Sequence, residues 1–130
     1  MGNSEKKVNS IRSYKDLIVY QKSYRLAVEV YKVTQYYPKE EIYGLISQMR
    51  RSAVSISCNI AEGYRRGHRK EYLQFLHMAY GSCSELETLL SLSNDLGFVE
   101  KGNFEMIYYL QEEVSRLLNG LILSLSKIGK

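Results

Sequence analysis

The chain has no tryptophan, one proline, two histidines and two cysteines among its 130 residues. Each scarcity excludes something. A proline inside a helix costs ~3 kcal/mol or more, so with Pro38 as the only one, long stretches are free to run as unbroken helix. Cys58 and Cys83 lie far apart, each among small and apolar neighbours. They make no disulfide framework. Both are expected as free buried thiols in a reducing compartment, which points to the cytoplasm. His68 and His77 would fall on different faces if one helix held both, and no HExxH, CxxC or Glu-x-x-His pair occurs. Neither a zinc site nor a di-iron centre is expected, and no cofactor. No apolar run approaches ~18 residues, so no membrane span is expected. The opening MGNSEKKVNSIRSYKD is polar and has no apolar core of a secretory signal. Gly2 begins a myristoylation-like pattern, but Lys6 stands where Ser or Thr is needed. Gly63 and Gly67 lack the GxxxxGK[ST] frame of a phosphate loop.

What is present is apolar spacing of helical period. Leu17, Tyr20, Tyr24, Ala27 and Tyr31 step by three and four. Asp16 is an expected N-cap or first-turn acid, and Pro38 stops the pattern, giving a first helix over about 16–36. Leu45, Met49, Ala53, Ile56 and Ile60 make a second stripe, with Glu40 and Glu41 leading in and Gly63 or Gly67 closing it. Tyr72, Leu76, Ala79, Cys83, Leu86, Leu90 and Ser93 make a third, stopping near Asn94–Gly97. Phe104, Ile107, Val114, Leu118, Leu121, Leu125 and Ile128 make a fourth, with Asn103 as its expected cap. No stretch alternates with period two. The reading is all-α: an antiparallel up-down-up-down four-helix bundle over 14–130, preceded by a flexible segment, 1–13. Small residues on the second and third helices (Ser52, Ala53, Ser57, Ala61; Ala79, Gly81, Ser82) predict a closely packed hairpin. Val28, Val30 and Val33 lie off the main stripe of the first helix, and there are twelve tyrosines. A bundle helix needs one buried face. The surplus apolar surface predicts homo-oligomer contacts.

The net charge of +4 is unevenly placed. Residues 1–70 carry 14 Lys/Arg against 6 Asp/Glu, and residues 71–130 carry 4 against 8. A basic half suits nucleic acid or an acidic partner; the two halves attracting each other is the plainer alternative. The densest cluster, Arg65-Arg66-Gly67-His68-Arg69-Lys70, falls in a turn, which presents charge outward. Tyr64 and Tyr72 flank it, placed to stack on bases. Arg65, Arg66, Arg69 and Lys70, with Arg50, are the candidate nucleic-acid contacts; a solvated loop is the bland alternative.

A hairpin turning near Arg66 sets Gln48 opposite Glu85, with Arg51 within about one turn of it. Cys58 then lies near Gln74 and within a turn or so of His77. That proximity is what any hairpin gives, and nothing marks an oxyanion hole, so no enzyme is expected. Adjacent helical residues diverge by about 100°, so Arg50 and Arg51 serve different tasks. One is expected to pair with Glu85 or with an acid of a neighbouring subunit. Glu62 is placed to pair with Arg65 or Arg66 along the helix.

The segments YGLISQMRRSAVSISCNIAEGYRRG (43–67) and KEYLQFLHMAYGSCSELETLL (70–90) closely resemble the family of 23S rRNA intervening-sequence proteins. YKDLIVYQKSYRLAVEVYKVTQYYPKEE looks like that family's opening helix. The pattern GLxSQMRR…SIxxNIAEG is specific, and the resemblance spans about 14–127. It implies a bacterial four-helix bundle that assembles as a homopentamer. Related accessory proteins of diversity-generating retroelements imply RNA or DNA and a reverse transcriptase as partners. By position, Gln48, Arg50, Arg51, Asn59, Glu62, Gly63 and Glu85 match the family's recurrent polar positions. Of these, Gln48, Arg51, Asn59, Glu62 and Glu85 are expected as a structural polar network. Tyr20 departs from a usual Trp and Cys58 from a usual small residue. The basic turn is only loosely matched. The resemblance adds no catalytic residue. Two functions are therefore expected in competition: a ring that binds nucleic acid nonspecifically, and a scaffold that docks a protein without touching nucleic acid.

Overall fold

The computed structural model describes residues 11–128. Helices α1 (Ile18–Thr34), α2 (Leu45–Arg66), α3 (Arg69–Asp95) and α4 (Lys101–Ile128) follow one another, with short 3₁₀ turns at Tyr14–Asp16 and Lys39–Glu41. Among the described residues there is no strand. Each helix packs on its neighbours in sequence, and α1 closes on α4, which makes an up-down-up-down bundle. Most of the expected flexible segment, residues 1–10, lies outside the described residues. No described helix is long and apolar enough to cross a membrane.

Local chemistry fixes the helix ends. Ser13 Oγ accepts from the Lys15 N–H (3.2 Å), and Asp16 accepts from the N–H groups of Arg12 (2.8 Å) and Ser13 (3.3 Å). Asp16 is thus the returning acid of a capping box around a 3₁₀ turn rather than an N-cap. The Glu41 carboxylate accepts from the Leu45 N–H (3.2 Å) and so satisfies an orphan donor at the start of α2. Gly67, at φ 78°, ends α2 in the left-handed conformation that glycine adopts without strain. Asn103 does not cap α4. The helix has already begun at Lys101, and the Phe104 N–H bonds the Glu100 carbonyl at 2.8 Å.

The stripes read on α2 and α3 face the core, with Met49, Ala53, Ile56, Ile60, Leu76, Ala79, Leu86 and Leu90 all fully buried. Burying such a leucine or isoleucine contributes roughly 1.5–3 kcal/mol. The α2–α3 contact is the most extensive in the bundle. Buried Gly63 shows why: a Cβ there would come within 2.7 Å of the Phe75 Cβ. On α1 the reading is corrected. The buried seam is Val19, Ser23, Leu26, Val30 and Val33, while Tyr24 and Tyr31 are exposed. Both stripes are helical, but the tyrosines carry hydroxyls that need partners or water, and the aliphatic residues do not. Val30 and Val33, read as surplus, are core.

Cys83 is buried as expected, but Cys58 is exposed. It sits in a groove of about 560 Å³ between α1 and α2, lined by Tyr14, Tyr20, Tyr24, Val28, Tyr31 and Val54 among others. Across the bundle Gln111 is almost wholly buried and donates to the Cys83 carbonyl (3.3 Å) and to Ser115 Oγ (3.2 Å). Lys22 and Glu113 bridge α1 and α4 at 3.1 Å.

Candidate nucleic-acid interface

Two residues, Gly67 and His68, separate α2 from α3, so Arg65, Arg66, Arg69 and Lys70 all lie at the bundle's end, and all are exposed. Helical divergence sends Arg65 and Arg66 to different supports. The Arg65 guanidinium lies 5.5 Å from the centre of the Tyr14 ring. Arg66 lies 5.0 Å from the centre of Phe75 and 3.0 Å from the Glu62 carboxylate. Arg69 donates to the Leu125 carbonyl (3.3 Å) in the last turns of α4, where a cation also complements the helix dipole. Lys70 has no ion pair among the described residues.

The antiparallel order brings more charge to this end. Arg12 and Lys15 enter here beside Tyr14, and Lys127 closes α4. Asp16, Glu62 and Glu71 are the carboxylates on the same end. The opposite end carries Glu29, Glu40, Glu41, Asp95, Glu100 and Glu105, against Lys32, Lys39, Arg50, Arg51 and Lys101. The imbalance between sequence halves thus appears as one strongly basic end, while the other end carries both signs in near balance.

Arg50 does not join the cluster. It sits in the second turn of α2, roughly 24 Å from Arg66 at 1.5 Å per residue. Its Nε donates to Thr34 Oγ1 (2.9 Å), it reaches the Tyr31 carbonyl (3.4 Å), and it stacks 4.6 Å from the centre of that ring. It ties the last turn of α1 to α2. The expected polar network is not assembled within the chain either. Gln48, Arg51 and Glu85 are exposed, and no ion pair joins them among the described residues. Asn59 donates to the Ser55 carbonyl (2.8 Å) and to Ser55 Oγ (3.0 Å), and Glu62 pairs with Arg66. The hairpin register also differs from the expected one. Ser55 meets Ser82 at 2.9 Å, where a turn at Arg66 would have set it against His77. The Ser55–Ser82 contact lies five residues along α3 from the expected pairing, and about three of these follow from a turn centred between Gly67 and His68 instead of at Arg66.

Beside the turn, the Tyr64 and Tyr72 rings meet edge to face at 6.0 Å. They line a slot of about 260 Å³ with Gly63, Gly67, His68, Arg69 and Leu125. Burial pushes the Tyr72 hydroxyl up to about 12, so it stays a protonated donor. Burial likewise pushes the Cys83 thiol up to about 11, which leaves it without thiolate character at neutral pH. Among the described residues no three His, Cys, Asp or Glu side chains gather as a metal site. Sequence reasoning missed Tyr14 and Phe75 as arginine platforms and Thr34 as the partner of Arg50. Their pairings cross from one helix to another and leave no local spacing signal.

A family model described as 23S rRNA-intervening sequence protein matches residues 15–120. Among solved structures, a protein of unknown function from the S23 ribosomal protein family of Bacteroides thetaiotaomicron VPI-5482 is similar, at 25% identity and a TM-score of 0.75. The match covers 81% of this chain and 95% of that one. No curated protein matches.

Proposed function

The chain belongs to the family of 23S rRNA-intervening sequence proteins, and from that premise we propose that it is a cytoplasmic, homo-oligomeric binding protein, not an enzyme, that holds RNA or DNA nonspecifically at its basic end. The observation that carries this reading is the gathering of Arg65, Arg66, Arg69 and Lys70 with Arg12, Lys15 and Lys127 on one end of the bundle. A homopentamer is the assembly proposed. The tyrosine groove on α1–α2 supports it, together with exposed Met78, Tyr80, Leu92, Tyr109 and Leu123 on α3 and α4. A groove on α1–α2 and scattered exposed apolar residues on α3 and α4 are unlike surfaces, which suits a head-to-tail contact; such contacts form a ring where the rotation closes. In a ring the basic end is repeated, and repeated cations bind phosphates by releasing counterions. The free thiols suit a reducing compartment.

Fluorescence anisotropy with labelled RNA and DNA tests the reading. Four phosphate contacts from one protomer give a roughly 50-fold loss of affinity for single strands, or roughly 150-fold for duplex, between 50 and 200 mM salt. Two engaged protomers square those factors. Replacing Arg65, Arg66, Arg69 and Lys70 by glutamine should abolish the binding while the helical content is retained. An intact oligomer that binds neither probe at 50 mM salt would sink the proposal and favour a scaffold that docks a protein such as a reverse transcriptase.

A further inference from the structure

We propose that the basic end takes unpaired nucleic acid, with one base lodged in the slot between Tyr64, His68 and Tyr72 and its neighbouring phosphates on Arg69 and Lys70. This rests on the nucleic-acid reading above and narrows it from any polyanion to a single strand.

Three features of the slot carry the inference. Its walls are flat or apolar: two phenol rings, an imidazole and Leu125. Its remaining lining is Gly63, Gly67 and Arg69, and at Gly67 the space is open, since a Cβ there would meet nothing within 4 Å. No carboxylate lines it, and Arg69 stands at its rim, anchored to the Leu125 carbonyl at 3.3 Å. An aromatic crevice with an anchored arginine at its rim and Lys70 next to it in the chain suits a ligand with a flat face and an anionic backbone. A single-stranded nucleotide offers both, because every base has a π-face and stacking tolerates any sequence. A duplex keeps its bases inside and offers this slot only phosphates. The larger groove along α1–α2, lined mainly by tyrosine and aliphatic side chains with Lys32 as its one lining cation, is assigned above to the subunit contact.

Electrostatics alone ranks the ligands the other way. Duplex DNA carries one charge per about 1.7 Å of axis, and a single strand is less dense. A surface that reads only phosphate therefore prefers duplex. A base slot reverses that order, and it also distinguishes a normal strand from an abasic strand of equal charge.

The test is anisotropy at about 50 mM salt with four probes of equal length: oligo(U), oligo(dT), an abasic deoxyribose strand and a DNA duplex. Single strands should bind roughly tenfold or more tighter than the abasic strand, the scale of one stacked base, and tighter than the duplex. The oligo(U)/oligo(dT) ratio tells whether a ribose hydroxyl is also read. Tyr64→Leu and, separately, His68→Ala should lower oligo(dT) affinity towards that of the abasic strand and leave abasic affinity unchanged. Two positions are used because Tyr72 packs against Gly63 and its loss would disturb the hairpin. Equal affinity for normal and abasic strands, or a preference for duplex, overturns the base slot while nucleic-acid binding stands. Binding to none of the probes overturns both.

Discussion

Replacing Gly63 by alanine places a Cβ 2.7 Å from the Phe75 Cβ, 3.1 Å from a Tyr72 ring carbon and 3.3 Å from the Tyr72 carbonyl oxygen. None of these is the free end of a flexible side chain. Relief therefore requires α2 and α3 to move apart by a few tenths of an ångström at their closest approach, across the bundle's most extensive contact. Overpacking of this kind costs ~1–3 kcal/mol. Against it stands the helix propensity of alanine over glycine, ~1 kcal/mol in a helix interior. The net expectation is a loss of up to about 2 kcal/mol. Gly81 supplies the control. It lies within α3, is exposed, and a Cβ there meets nothing within 4 Å. Gly81→Ala keeps the propensity gain without the clash and should stabilise by up to ~1 kcal/mol. The two variants should move in opposite directions in urea unfolding followed by circular dichroism. Protein concentration must be fixed, because oligomerisation shifts apparent stability. At roughly 4 °C per kcal/mol for a chain of this size, their melting temperatures should differ by about 4–12 °C. Equal shifts of the same sign would refute the argument that Gly63 sets the distance between the helices.

Two further predictions concern titration and access. Cys83 ionises at about 11 against an ordinary 9.0, and Tyr72 at about 12 against 10.0, each raised chiefly by burial. A raised folded-state pKa means that the unfolded chain loses its proton first, so stability is complete below pH 9 and falls as pH rises through 9 to 12. Cys83→Ala should flatten the first part of that decline and Tyr72→Phe the second; unchanged alkaline melting curves in both variants would remove burial as the cause. Cys58 is exposed in the protomer while Cys83 is buried, so a thiol reagent should label one cysteine in dilute, dissociated protein and the second only on unfolding. Where the α1–α2 groove is covered by another copy, Cys58 should be protected in the concentrated oligomer, and labelling that ignores protein concentration would place the subunit contact elsewhere.

The fold was legible because it depends on local regularities. The period of Leu45 to Ile60 and of Leu76 to Ser93 is a one-dimensional signal, and the buried faces of α2 and α3 follow it residue by residue. On α1 the same signal was ambiguous. Two stripes of equal period run along it, and only packing against α2 and α4 decides that Leu26 and Val30 go in while Tyr24 and Tyr31 stay out. Register was the weaker inference for a related reason. Small residues on both helices predicted close approach, but a ladder of small side chains fits many offsets. What selects one is the two-residue turn and the contact of Gly63 with Phe75. That offset takes Gln48 away from Glu85 but brings Arg51 nearly level with it; Arg51 and Glu85 are both exposed and form no ion pair with each other. The basic turn was visible as a run of charge, yet its supports were not, since Tyr14 and Phe75 are remote in sequence from Arg65 and Arg66.

Those supports bear on what the cluster is for. A guanidinium in an ion pair is largely neutralised, whereas one lying over an aromatic ring or bound to a carbonyl keeps its charge outward. At the turn, Arg65 rests on Tyr14 and Arg69 on a carbonyl, and only Arg66 is shared with a carboxylate. The residues are thus held in place without being discharged. Like charges gathered at one end repel, which acts against the compact state. A loop needed only for solubility has no use for fixed side chains, since mobile lysines serve equally and lose less rotamer entropy. Fixing a cation in advance matters when something must bind it, because the ordering cost is then met during folding instead of on association. Arg50 shows the contrast within the same helix. Its guanidinium is turned inward to Thr34 and the Tyr31 carbonyl, where it closes α1 onto α2. The same residue type therefore serves architecture at one end of α2 and presents unneutralised charge at the other, and the difference lies in what each side chain rests on.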